Sequence, residues 1–224
     1  IAEVAHAKGA VVLADNTWAG PLYCRALEKG VDLSIQSGTK YIGGHSDLML
    51  GTVSANQQTV QRLKDTAYGM GLCVGPDDMN LGLRGLRTLA VRLARHYQSG
   101  VTVAKWFEQR PEVLKVFHPA LPSHPGHAIW KRDYTGACGL FAIVLKPVPE
   151  KAVLAFLNGL SLYGMGASWG GFESLAIPYD VHDYRSATKF EPGGPSIRFH
   201  IGLEDVGDLT ADLERGFAAM AAAL

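Results

Sequence analysis

The 224-residue sequence predicts an α/β fold, with a mostly parallel sheet flanked by helices first and a smaller α+β domain after it. Two observations carry that prediction. Over residues 1 to about 75, short continuous apolar runs alternate with helical stretches, as buried parallel strands joined by crossover helices do. Beyond the long helical stretch at 76–110, strand-like runs dominate and helices are fewer. The expected division places 1–95 in the first domain, with the start of a linking helix, and 96–224 in the second.

The elements follow in order. AEVAHAK reads as a helix with Ile1, Val4 and Ala5 on one face, and it opens without a capping residue. The chain thus reads as entered partway along, and catalytic residues are expected upstream. VVLAD (11–15) reads as a buried strand, and PLYCRALEKG as a helix ending at Gly30. VDLSIQSG and GTVSAN (51–56) supply two more strands. In the stretch from Pro76 to Arg110, Pro76 and two aspartates suit a helix start, and apolar residues recur every three or four positions. One long helix with a break near Gly100 is expected there. VLKVFHP, GLFAIVLK, ESLAIPY and SIRFHIGLE then read as strands, with helices at 150–158 and 205–220.

Composition narrows the function. Acidic and basic residues cancel at 21 each with no basic run, so neither nucleic acid nor an anionic membrane is expected as a partner. Apolar runs such as FAIVL are too short to span a bilayer. Cys24, Cys73 and Cys138 are widely spaced and odd in number, as in a reduced, cytoplasmic protein. His118, His124 and His127 cluster in FHPALPSHPGH, but the prolines point to an irregular surface loop and no cysteine or carboxylate joins them. No metal site is expected.

The stretch SIQSGTKYIGGHSD places one lysine in a turn after a strand. Alone, Lys40 reads as a solvated turn lysine. Its neighbours change that, because Ser37 and Thr39 offer hydroxyls and Gly38, Gly43 and Gly44 expose backbone N–H groups, the chemistry a phosphate needs. The order of residues does not fit a P-loop, where the lysine follows a glycine and precedes Ser or Thr. A lysine beside a phosphate pocket suits covalent attachment of pyridoxal phosphate instead. That group needs a carboxylate at its ring nitrogen, and Asp15, at the end of VVLAD, stands where open α/β sheets bind ligands. Without that context, Asp15 reads as an ordinary turn aspartate.

ADNTWAGPLYCRALEKGVDLSIQSGTKYIGGHSDLMLG, with Asp32 and Leu33 ahead of TKYIGGH, resembles the Cys/Met-metabolism pyridoxal phosphate enzymes. The resemblance continues through PDDMNLGLRGLRTL, LPSHPGH, SWGGFESL and SIRFHIGLED, and covers essentially the whole chain. It implies a fold-type I, PLP-dependent transferase-like architecture. Lys40 then carries pyridoxal 5'-phosphate and moves the α-proton, Asp15 pairs with the ring nitrogen, and Ser37 and Thr39 contact the phosphate. Arg198 clamps the substrate α-carboxylate, a task suited to a planar guanidinium; on sequence alone it reads as a half-exposed strand residue. Ser168 and Trp169 line the site, and Tyr68 lies near the distal part of the substrate. The resemblance also sets aside the histidine metal site.

Within the family, the tryptophan of SWGGFES is most similar to the cystathionine β-lyases, whereas γ-synthases and γ-lyases more often carry a small or aliphatic residue there. The implied reaction is β-elimination of a C–S bond in cystathionine, an amino-acid thioether, by a cytoplasmic homotetramer. A γ-lyase or cystathionine γ-synthase is the nearest alternative. A more distant one is a serine hydrolase, because GASWG (166–170) fits GxSxG with His182 or His200 as partners. That motif requires strand, turn and helix, and here the strand-like ESLAIPY follows.

Overall fold

A computed structural model of the chain describes every residue except 182, 183 and 185. The chain divides into two compact units, Ile1–Leu93 with Asp133–Ala137, and Ala94–Arg132 with Cys138–Leu224. The five residues 133–137 thus belong with the first unit.

The first unit holds α1 (Ala2–His6), β1 (Leu13–Asp15), α2 (Gly20–Tyr23), a 3₁₀ turn at Ala26–Lys29, β2 (Leu33–Ser37), β3 (Gly51–Ala55), α3 (Val60–Gly69) and the start of α4 (Pro76–Glu108). The sheet order is β1-β2-β3. β1 pairs with β2 in parallel, Asp15 standing opposite Ile35, but β3 runs antiparallel to β2. The sheet is therefore mixed rather than mostly parallel, since the short link through residues 38–50 reverses the chain instead of crossing over. Two further expectations change. PLYCRALEKG forms two short helical pieces rather than one helix. VVLAD forms a three-residue strand, Leu13–Asp15, with Val11 48% and Leu13 58% exposed rather than buried.

Asp32 ties this unit together at the start of β2. Its carboxylate accepts from the Val12 amide (2.7 Å) and Asn56 Nδ2 (2.8 Å), and it pairs with His6 Nε2 (2.8 Å). The Val12 amide, followed by His6, pulls its pKa below the ordinary aspartate range.

The second unit continues α4 and adds β4 (Val113–Phe117), α5 (His127–Asp133), β5 (Leu140–Leu145), α6 (Glu150–Asn158), β6 (Leu175–Pro178), β7 (Ser196–His200) and α7 (Val206–Ala222). Its sheet, in the order β4-β5-β7-β6, is antiparallel throughout. Phe107 of α4, Phe156 of α6, Phe217 of α7 and Phe199 of β7 meet in its core, with ring centroids 4.9 Å apart for Phe107–Phe199 and 4.8 Å for Phe156–Phe217. Truncating one of these rings to alanine removes about 3–5 kcal/mol.

α4 shows no break at Gly100. A Cβ there would lie 2.9 Å from the Cys138 carbonyl oxygen, so the glycine permits a close approach inside the second unit rather than ending the helix. The 118–127 segment is an irregular loop with Pro122, Ser123 and Pro125 exposed, but it is anchored inward. His118 and Leu121 are fully buried, and each histidine bonds its own loop backbone. Nδ1 of His118 accepts from the Ala120 amide, Nδ1 of His124 accepts from the Gly126 amide, and Nδ1 of His127 donates to the Pro119 carbonyl.

Candidate active site

In the first unit, the parallel pairing of β1 and β2 sets Asp15 and Ser37 at neighbouring strand ends. Thr17 links them. Its amide (2.9 Å) and hydroxyl (2.5 Å) both donate to Asp15 Oδ1, and the same hydroxyl oxygen accepts from the Ser37 amide at 2.8 Å. Sequence reasoning missed Thr17. The signal was the Asp-x-Thr spacing of ADNT, which lets a side chain bond the backbone two residues on. Asn16 fixes the same turn from inside, donating from Nδ2 to the Cys24 carbonyl at 2.7 Å.

Lys40 follows directly and is half-buried. Its amide donates to the Ser37 carbonyl at 3.1 Å, and its own carbonyl accepts from the Gly44 amide at 2.7 Å, so residues 37–44 coil into tight successive turns. The Thr39 hydroxyl is engaged with Leu50, accepting from its amide at 2.9 Å and donating to its carbonyl at 3.3 Å. That bond joins the turn to the start of β3. Asp15 is exposed, and its Oδ2 takes no hydrogen bond from any described residue, nor does the Ser37 hydroxyl bond one.

This donor set fits pyridoxal phosphate. It offers an open carboxylate oxygen for a protonated ring nitrogen, a primary amine on a fixed turn for the aldehyde, and a hydroxyl at a strand end for the phosphate.

In the second unit, Arg198 sits in β7 and reaches the loop before β6. Its Nη2 donates to the Ala167 carbonyl at 2.5 Å and to the Ser168 carbonyl at 3.4 Å. Partial burial lowers the guanidinium pKa below its ordinary value, with Tyr179 opposing that shift, and an arginine keeps its charge nonetheless. Ser168 is exposed and Trp169 half-buried in this loop. Two residues along the same strand face, His200 Nε2 lies 3.1 Å from both the Gly170 amide nitrogen and the Gly171 carbonyl oxygen. β7 therefore holds the loop on both sides of Ser168–Trp169. The turn leading into it is fixed by Asp212 of α7, whose carboxylate accepts from the amides of Ser161, Leu162 and Tyr163. Burial pushes the Asp212 carboxyl up, but those amides outweigh it and its pKa lies below the ordinary value.

Ser168 is followed by irregular chain and then β6, so the strand–turn–helix of a hydrolase elbow is not formed. Of its paper partners, His200 bonds glycine backbone, and His182 lies outside the described residues. Tyr68 lies near the end of α3, 79% exposed, and its side chain bonds no described residue. The structure thus groups Asp15, Ser37, Thr39 and Lys40 in one unit and Ser168, Trp169 and Arg198 in the other, while Tyr68 stands apart from the first group's hydrogen bonds. Cys24, Cys73 and Cys138 are free thiols, and among the described residues no His, Cys, Asp and Glu cluster has the makings of a metal site.

The chain is similar to known proteins over nearly its whole length. A putative cystathionine beta-lyase of Rhizobium johnstonii is 54% identical over 226 residues, covering 99% of this chain and 57% of that protein. Cystathionine beta-lyase MetC of Escherichia coli is 47% identical over 213 residues, covering 93% and 54%. The crystal structure of cystathionine gamma synthase from Xanthomonas oryzae pv. oryzae in complex with cystathionine superposes with a TM-score of 0.90 at 35% identity, covering 99% of this chain and 59% of that one. The chain spans about half the length of the curated relatives it matches. The sequence model of the Cys/Met metabolism PLP-dependent enzymes matches residues 1–218, and the chain belongs to that family.

Proposed function

We propose that the protein is a C–S β-lyase that cleaves cystathionine to homocysteine, pyruvate and ammonia. The observation that carries the reading is the Asp15–Thr17–Ser37 hydrogen-bond chain, which sets a carboxylate with an open oxygen beside the turn that presents Lys40. The names of the two β-lyase relatives, at 54% and 47% identity, support the β over the γ reaction, as does Trp169.

Pyridoxal phosphate, when bound, supplies an electron sink for the charge left at Cα. The chain's own residues do the rest. The Lys40 amine would hold the group and is the base placed to move the substrate's Cα proton. Asp15 would pair with the ring nitrogen and favour its protonated form, with Thr17 fixing the carboxylate's orientation. Ser37 offers a hydroxyl to the phosphate, and Thr39 secures the turn through Leu50. Arg198 binds the α-carboxylate, and Ser168 and Trp169 border the substrate. Tyr68 belongs to the distal part of the substrate site in the same reading.

A homotetramer in the cytoplasm completes it. The three free thiols favour a reducing compartment, and among the described residues no helix is long and apolar enough to cross a membrane.

Incubating the full chain with pyridoxal phosphate and cystathionine tests the reaction. Pyruvate with homocysteine is the expected outcome. 2-Oxobutyrate with cysteine would show a γ-lyase instead.

A further inference from the structure

Arg92, in the first part of α4, is a buried cation that this reaction does not use. It is 6% exposed, and its hydrogen bonds all go to uncharged groups. Nη1 donates to the Tyr41 carbonyl at 2.8 Å. Nη2 donates to the carbonyls of Ile42 (3.2 Å) and Gly85 (2.7 Å), and Nε to the Thr88 hydroxyl at 3.0 Å. No carboxylate pairs with it among the described residues, although taking a guanidinium out of water is costly and buried charges are ordinarily paired. Burial alone lowers its pKa, and it stays charged.

The surrounding backbone is shaped to this guanidinium. Gly44 has φ +72°, and a Cβ there would lie 1.9 Å from Nη1. A Cβ on Gly85 would lie 2.3 Å from the Ile42 carbonyl oxygen and 2.4 Å from that of Gly43, so α4 meets the turn backbone to backbone. Tyr41 and Ile42 directly follow Lys40 and are themselves buried. The planar fork therefore bridges the Tyr41–Ile42 and Ile42–Gly43 peptide units, just after the lysine, and anchors them to a rigid helix.

We propose that Arg92 is a positioning residue for Lys40, holding its turn in the conformation that presents the amine, by way of the Tyr41 and Ile42 carbonyls. The inference rests on the reading that Lys40 carries pyridoxal phosphate, and its test separates the two. In the full chain, borohydride reduction with pyridoxal phosphate followed by peptide mapping comes first. A label on another lysine overturns the reading and the inference with it.

With the label on Lys40, cofactor-free Arg92→Gln, Arg92→Lys and Gly44→Ala chains are compared with the unsubstituted chain. Arg87→Gln, an exposed change on the same helix, serves as the control. The readouts are the growth of visible absorbance after adding pyridoxal phosphate and the circular dichroism of that band, taken well below each thermal midpoint. Arg92→Gln should slow attachment about 10²-fold, the loss that a misplacement near 1 Å brings. Its visible dichroism should weaken as well, a change that a purely structural role leaves untouched. Arg92→Lys, which keeps the charge but cannot bridge three carbonyls, should recover part of the rate. Gly44→Ala should reproduce the defect by displacing Nη1. A folded Arg92→Gln chain with the rate and dichroism of the unsubstituted one overturns the proposal. Where that variant does not fold, Arg92→Lys decides in the same way, an unchanged rate overturning it and a slowed rate supporting it.

Discussion

Asp15 and Arg198 carry the two charges that the proposed reaction needs, and each yields a measurable consequence. Asp15→Asn keeps the shape and the Thr17 contacts but cannot hold a proton on the ring nitrogen. It should retain the cofactor and lose about 10²-fold or more in kcat, since the stabilisation it gives is greatest in the transition state. Near-normal turnover in that variant would contradict the role. Arg198→Lys retains a charge but loses the fork that bonds the Ala167 and Ser168 carbonyls as well as the substrate. KM should rise by about 10- to 100-fold, the equivalent of about 1.5–3 kcal/mol for a charged hydrogen bond, with a smaller effect on kcat. Unchanged inhibition by carboxylate-bearing substrate analogues would count against the clamp. His118 speaks to stability instead. Burial, reinforced by His124 and opposed by a Cys138 backbone bond, lowers its pKa from 6.5 to about 4. The unfolded chain therefore binds a proton that the folded chain does not between these values, and stability must fall as pH drops from 6.5 towards 4. The loss reaches roughly 3 kcal/mol at most. A His118→Phe chain should show a thermal midpoint less dependent on pH across that window.

Among the elements, strands and helices with strong periodicity were readable and their partnerships were not. GLFAIVLK and SIRFHIGLE form β5 and β7 where the apolar alternation places them, because one face of each must be buried. The direction of β3 was not readable from GTVSAN, because a short link can reverse a chain as well as lead into a crossover, and only the pairing with β2 decides. Gly100 looked like a break since glycine lowers helix propensity, yet its role lies in a contact 38 residues away in sequence, with Cys138. Two alanine substitutions separate propensity from packing. Gly69→Ala, at the end of α3 where a Cβ would meet nothing within 4 Å, should gain up to about 1 kcal/mol. Gly100→Ala should instead lose about 1–3 kcal/mol, because its new methyl meets backbone that cannot swing aside. Equal shifts in thermal midpoint for the two variants would show that packing at Gly100 is looser than 2.9 Å implies.

Over the whole molecule, the motif TKYIGGH and the strand-end aspartate pointed to pyridoxal phosphate, the cofactor of the family the chain belongs to, because a lone lysine among hydroxyls and glycines has few uses. What held those groups in place was less visible. Thr17 and Arg92 act through backbone atoms distant in sequence, and only the folded chain brings Arg92 to the carbonyls 51 and 50 residues before it. Charge balance and composition gave no sign of a nucleic-acid or membrane partner and could not choose between β- and γ-elimination; in the proposed reading, the residues around Trp169 and the relatives' names support the β reaction. The measurement closest to the central claim is borohydride reduction of the full chain with pyridoxal phosphate, followed by peptide mapping and repeated with Lys40→Ala. The account predicts one pyridoxyl-modified peptide, containing Thr39-Lys40-Tyr41, and no modification in the substituted chain. A label on any other lysine, or one that survives Lys40→Ala, would contradict it.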